Sequence, residues 1–272
     1  MKYLVIPRIE VNNANAQPAW WMIGPPPLTA YAGFSHALAL ALGVERCLGF
    51  GVVHHDIQFL GETVGRDLRP HQFRAASFID KDDYSSKNAY ALSSQPTARC
   101  HLTASLVIRF DQEDSLDIEN QLPRFLRGAR LAGGNIVKFG IWNEEKFENC
   151  ALMENFSEVA KFIKNGHAIH ERQDLMVKQD GERDMLDVVL RLTDPQRRRS
   201  DPEAPTWLLP TTLGYRAITP FQKRKNVRDN LPHAYAEPLV GMVQYRTLRE
   251  APLPIWQATN PDAATFLVTT QP

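Results

Sequence analysis

The chain has 272 residues, 43% of them hydrophobic, enough to close a buried core in one large domain or two small ones. Its 31 basic and 31 acidic side chains cancel. That balance argues against a free-standing nucleic-acid binder, which carries a basic excess, and suits a subunit that is basic on one face and acidic or apolar where partners dock.

In chain order, Leu4, Val5 and Ile6 open an apolar run that predicts a strand over 3–11. Asn12, Asn13 and Asn15 read as a turn that breaks it. A Pro-rich loop at Pro25, Pro26 and Pro27 leads into a helix over 29–43, with Gly43 as its C-terminal stop. A second strand is expected over 49–60, where Val52, Val53, Ile57 and Phe59 favour the pleat. Residues 61–98 lack a sustained period and carry Arg66, Arg69, His71, Arg74 and Lys87, which suggests a protruding thumb. Residues 99–110 alternate, with His101, Thr103, Ser105 and Val107 on one side and Leu102, Ala104, Leu106 and Ile108 on the other.

After an acidic stretch (Asp111, Glu113, Asp114, Asp117, Glu119), residues 118–131 predict a helix that Gly133 and Gly134 end, and Ile136 and Val137 begin a fourth strand. Strand, helix, strand, strand, helix, strand is the βαββαβ order of an α+β, ferredoxin-like core, which is also the RNA-recognition-motif topology. Residues 144–192 read as mostly helical, and a basic, Pro-flanked linker follows with Arg197, Arg198 and Arg199. Trp207 to Leu209 start a strand limited by Pro210 and Gly214. A basic segment (Lys223, Arg224, Lys225, Arg228) precedes an apolar block from Tyr235 to Leu248. The expected organisation is a core over 1–143 with the thumb inserted at about 61–98, a helical insertion and basic linker over 144–200, and C-terminal strands and helix over 201–272 completing the domain.

Three cysteines, Cys47, Cys100 and Cys150, lack C-x-x-C spacing and read as small buried side chains in a reducing compartment. No run of about 18 apolar residues occurs, so no transmembrane helix is expected. Arg8 and Glu10 interrupt the apolar start, which does not resemble a secretory signal. A soluble, cytoplasmic protein follows as the expectation.

Several segments carry residue types suited to RNA. The amides of Asn12, Asn13 and Asn15 can read base edges or simply turn the chain. Gly133 and Gly134 can offer N–H groups to phosphate or cap a helix, and Arg130 beside them can pair with phosphate or answer the helix dipole. In the thumb, Arg69, Gln72, Phe73 and Arg74 interleave cations with an aromatic ring, the composition of a stacking clamp or of a solvated loop over a tucked-in ring. Tyr215, after Gly214 in an exposed-looking turn, can stack on a base or pack locally. Arg8 and Arg224 complete the candidate RNA contacts.

Three blocks, LVIPRIEVNNANA with PLTAYAGFSHAL, then RLAGGNI, then WLLPTTLGYRAITP, carry a family resemblance. The chain resembles the Csy-two subunits, Cas-five-type members of the RAMP superfamily, of type I-F CRISPR surveillance complexes. It is shorter than that family mainly after residue 144, and lacks its usual residues just after the Gly-rich loop. The resemblance implies a ferredoxin-like core with a thumb and an added helical part. It implies binding of the 5′ handle of the CRISPR RNA without catalysis or cofactor. It also implies pairing with the large Cas-eight-type subunit, a neighbouring Cas-seven-type backbone subunit, and target DNA met indirectly or peripherally.

Two other readings stand beside it. His36 on the first helix suggests a Cas-six-like, metal-independent endoribonuclease, with Tyr31 or Ser35 assisting. The zero net charge leaves room for a protein–protein adaptor that touches no RNA. No metal site is expected. His54 and His55 alternate in side, His54 and Asp56 share a face but are too few, and His167 and His170, three apart on an expected helix, lack a third ligand. No P-loop, H-E-x-x-H or G-x-S-x-G motif is present.

Overall fold

The computed structural model describes residues 1–44, 47–65, 67–71, 98–111, 118–143, 146–201, 203–224 and 231–270. In chain order these form β1 (Lys2–Asn15), α1 (Leu28–Ala41), β2 (Cys47–Phe59), β3 (Gly61–Val64), β4 (Asp67–Pro70), β5 (Arg99–Phe110), α2 (Ile118–Gly128), β6 (Arg130–Leu131) and β7 (Gly134–Lys138). Then follow β8 (Ile141–Asn143), β9 (Lys146–Glu148), β10 (Ala151–Met153), α3 (Phe156–Ile163), β11 (His167–Glu171), α4 (Met185–Thr193), α5 (Arg197–Ser200), β12 (Leu208–Ala217), β13 (Ala236–Thr247), β14 (Gln257–Asp262) and β15 (Thr265–Thr269).

Among the described residues, eleven strands join one sheet in the order β14-β15-β12-β13-β11-β2-β5-β1-β7-β6, with β10 also paired to β1. Every pairing in it is antiparallel. The protein is thus a mixed α/β fold, mostly antiparallel sheet with few helices. No described helix is long and apolar enough to cross a membrane.

The alternation of β5 does what its sequence requires. Leu102, Ala104, Leu106 and Ile108 enter the main core, whereas Val107 joins a second cluster on the other face. α1 packs on the first face through Leu28, Tyr31, Phe34 and Leu38, and α2 joins it through Leu122, Leu126 and a Phe34–Phe125 ring contact. On the other face, Val159 and Ile163 of α3 meet Val5, Val53 and Val107. α4 packs Val188, Val189 and Leu192 onto Leu208 and Met242. Met242 sits next to Val243 of the main core and therefore points away from it.

β1 does not break at its asparagines. It bulges twice, between Ile6 and Ile9 and between Val11 and Ala14, with positive φ at Arg8 (50°) and Asn13 (58°). Each bulge restores the inward face, so Leu4, Ile6, Ile9, Val11 and Ala14 all reach one core. Asparagine tolerates the left-handed conformation better than most residues, which suits it to the second bulge. α1 does end as read, with Gly43 at φ +72° just beyond its last turn.

Other expectations need correction. α2 stops at Gly128, and Gly133 and Gly134 do not end it. Arg130 and Leu131 pair with Asn135 and Gly134 across a tight hairpin whose two turn residues, Ala132 and Gly133, have φ of 49° and 74°. Two successive positive φ values are what a two-residue hairpin needs to match strand twist. The expected helical stretch 144–192 includes three strands, and His167 and His170 lie on one of them, β11. β12 runs through Pro210 and Gly214 to Ala217, so Tyr215 stands on a strand rather than in a turn. Gly214 is needed there because an added Cβ would lie 2.1 Å from the Phe266 carbonyl of β15. Of the expected thumb, β3 and β4 form a hairpin; residues 72–97, including Gln72, Phe73, Arg74 and Lys87, lie outside the described residues, as do Arg66 and residues 112–117 with Glu113, Asp114 and Asp117.

Candidate nucleic-acid interface

A groove of about 500 Å³ opens where β1, α1, β5, the β6–β7 turn, β12 and β15 meet. Its wall includes Asn15, Arg99, Arg130, Gly133, Tyr215 and Phe266, with Pro27, Thr29 and Ala30 at the start of α1. Four of these, Asn15, Arg130, Gly133 and Tyr215, are candidates read from the sequence at distant positions. The chain folds them together for local reasons. The Asn15 N–H donates to the Ala132 carbonyl at 2.8 Å, which fastens the end of β1 to the hairpin turn. The Arg99 guanidinium reaches the Asn13 carbonyl at 3.4 Å, at the second bulge of β1.

The groove has cations and no acid among its described lining residues. α1 adds to this. Its cap residue, Pro27, offers no side-chain hydrogen bond, and its first turn holds no acidic residue. The N-terminal N–H groups of a helix left in that state favour an anion. On the opposite wall, Tyr215 and Phe266 are directly paired across β12 and β15. Tyr215 keeps 41% of its surface exposed. The groove therefore offers positive charge on one side and aromatic faces on the other, the two contacts a single nucleic-acid strand presents.

The other candidates fall elsewhere. Gly134 is buried, because a Cβ there would meet Val11 Cγ1 at 2.6 Å, the Ala14 nitrogen at 2.7 Å and the Asn12 carbonyl at 2.7 Å; it serves close strand approach. Asn12 and Asn13 are exposed beside the groove, while the Asn15 amide bonds both the N–H and the carbonyl of Gln17, as turn chemistry predicts. Arg8 lies at the first bulge, donating its N–H to Ser105 Oγ at 3.1 Å and its guanidinium to Asn165 Oδ1 at 2.7 Å. That places it on the α3 side of the sheet. Arg69 is exposed on β4. Its hairpin springs from beside the groove, since the Leu60 N–H donates to the Arg99 carbonyl. Arg224 stacks its guanidinium 4.6 Å over the Tyr235 ring.

Sequence reading missed Arg99 and Phe266. Arg99 carries one signal, a cation at the start of an alternating strand; Phe266 carries none, since only the β12–β15 pairing brings it to Tyr215.

The suggested catalytic group of the first helix is not brought together. His36 is exposed on α1, whereas its suggested helpers Tyr31 and Ser35 are fully buried and point into the core. Tyr31 instead bonds His54 Nε2 at 2.7 Å, and Tyr245 bonds His54 Nδ1 at 3.0 Å. Burial, with lesser repulsion from His55 and His167, pulls His54 down to about 3. Burial, then the Arg8 charge, lowers His55 to about 4, and burial with Arg246 and Arg172 lowers His170 to about 4. All three are neutral near pH 7. His54 and Asp56 do not share a face, because the strand bulges between them and gives the inward position to Ile57. Among the described residues no group of three or more His, Cys, Asp and Glu gathers that could hold a metal ion.

The fold and groove define a mixed α/β protein with a basic, aromatic-walled cleft at one edge of its main core. The family model described as CRISPR-associated protein (Cas_Csy2) matches residues 4–262. A curated relative, CRISPR-associated protein Csy2 of Pseudomonas aeruginosa (strain UCBPP-PA14), is 25% identical over 291 aligned positions, which cover 89% of this chain and 86% of the relative. The chain belongs to the Csy2 family of type I-F CRISPR systems.

Proposed function

We propose that this chain is a non-catalytic subunit of a type I-F CRISPR effector complex that holds the 5′ handle of the CRISPR RNA in the groove at the start of α1. The observation that carries this reading is the convergence of Asn15, Arg130, Gly133 and Tyr215 with Arg99 in one groove, with no acid among its described lining residues, of a Csy2-family protein. Phosphates meet Arg99, Arg130 and the N–H groups of the first turn of α1, and a base lies on the Tyr215–Phe266 wall. The β3–β4 hairpin, rooted beside Arg99, is placed to close over the strand. The large Cas-eight-type subunit and a Cas-seven-type backbone subunit adjoin this end of the complex, in the cytoplasm.

The ferredoxin-like reading of the core is part of the proposal. Its support is the order β7-β1-β5-β2, all antiparallel, with α1 and α2 on one face. Taking β1, β2, β5 and β7 as the four strands of a split βαβ pair, this order supports the reading.

The test is a salt titration. The chain, co-expressed with its large partner, is titrated with a fluorescent single-stranded RNA bearing the 5′ end of the system's CRISPR RNA. Each lost phosphate contact flattens the slope of log Kd against log salt by about 0.7, so Arg99→Ala with Arg130→Ala removes about 1.4. An unchanged slope in the double variant would place the RNA elsewhere.

A further inference from the structure

Tyr215 and Phe266 form more than the back wall of the groove. On their far side a second depression of about 420 Å³ uses the same two rings as one of its walls. Its floor is made of alanines. Ala217 and Ala236 are paired across β12 and β13, and the Ala217 N–H donates to the Ala264 carbonyl at 2.8 Å. Methyl side chains on two paired strands and on the β14–β15 turn leave a slot where larger residues would fill the surface. Phe221 closes the opposite side and is 55% exposed; Asn260 and Asp262 lie at one end.

The slot is held in shape. Beyond β12 the chain continues as a narrow ribbon with the segment before β13. The Ile218 N–H donates to the Tyr235 carbonyl, Gln222 and His233 exchange two backbone hydrogen bonds, and the Tyr235 N–H donates to Thr219 Oγ1. These bonds fix Phe221. Arg224, stacked over Tyr235, and Lys223 supply positive charge on the same ribbon. The one acid among the described residues lining the slot is already engaged. Asp262 accepts from the Ala264 N–H at 2.8 Å, from Thr265 Oγ1 at 3.1 Å and from the Arg216 guanidinium at 3.4 Å.

We propose that this alanine-floored slot receives one unstacked nucleobase of the RNA strand that leaves the groove over the Tyr215–Phe266 wall. The slot supplies an aromatic face (Phe221), a shared aromatic wall, and an amide (Asn260) able to meet donor and acceptor positions on a base edge. The adjacent cations match the phosphate that must follow the base. The inference rests on the RNA-binding reading above.

The experiment uses the assembled complex with its co-purified CRISPR RNA. Short-wave ultraviolet cross-linking and peptide mass spectrometry locate the nucleotides bonded to protein. The expected result is a nucleobase cross-linked to Phe221 or Tyr215. In Ala236→Leu, which fills the floor, that cross-link falls at least fivefold while RNA still co-purifies; in Phe221→Ala, affinity for the fluorescent RNA used above drops about five- to a hundred-fold. Cross-links confined to the Arg99–Arg130 groove would overturn the slot and leave the groove reading intact. A cross-link that survives Ala236→Leu, or a neighbouring subunit's peptide found in the slot, would overturn it as well. Absence of RNA from both places would overturn the slot together with the function it rests on.

Discussion

Acidification from pH 7 to pH 5 tests the buried His54 centre directly. The side chain is 3% exposed and bonded by two tyrosine hydroxyls, and its pKa falls from 6.5 to about 3 on folding. Between those values the unfolded chain takes up a proton that the folded chain refuses. Stability therefore rises with pH across this window, is complete above about pH 6.5, and is lost as pH falls toward 3. Integrating the linkage from pH 7 to pH 5 gives a loss of about 2 kcal/mol from His54 alone. For a chain of this size that is roughly 4–8 °C in Tm. His55 and His170 move in the same direction but are partly solvated, so their shares are smaller. The assay is urea denaturation at both pH values for the parent and for His54→Gln, which keeps a hydrogen-bonding side chain and cannot titrate. His54→Gln destabilises at neutral pH but flattens the pH dependence by about 2 kcal/mol. If the parent loses no more stability than the variant on acidification, the buried neutral imidazole is refuted.

The glycines of the β6–β7 hairpin separate two costs. Gly134→Ala drives a Cβ into backbone of β1 from two directions and is expected to cost about 2–3 kcal/mol, seen in the urea midpoint. Gly133→Ala meets only Arg99 Nη1 at 3.7 Å, so its cost is the positive φ alone, about 1 kcal/mol; equal losses at the two sites would contradict this geometry. His36→Ala removes an exposed ring and should change stability by less than about 0.5 kcal/mol. It should also leave the length of the co-purified CRISPR RNA unaltered; accumulation of uncut precursor would support the ribonuclease reading.

Much of the central sheet was legible because its signals are local. The alternation in 99–110 set both faces of β5, the apolar run from Leu4 placed β1, and Gly43 stopped α1. The family, too, was legible in three ordered blocks. Signals failed where one local pattern has two physical solutions. An Asn-rich stretch can turn or bulge, and β1 bulged because continuing it kept Ala14 in the core. A Gly pair after a helix can cap it or close a hairpin, and the space beside Val11 and Asn12 decided for the hairpin.

The sequence by itself determined much of what the central sheet buries and where the first helix begins and ends, and it offered asparagine, glycine, arginine and tyrosine candidates for a nucleic-acid strand. Only the tertiary structure decided which of these residues meet. Asn15, Arg130 and Tyr215 line one groove because a β1 N–H holds the β6–β7 turn, and because α1 packs against both β12 and β15. Arg8, of the same residue type as Arg130 and on the same strand as Asn15, faces the α3 side. Phe266 joins Tyr215 only through a strand pairing 51 positions apart in sequence, 266 less 215. Such long-range pairing depends on the register of whole strands, and no short stretch of sequence carries it.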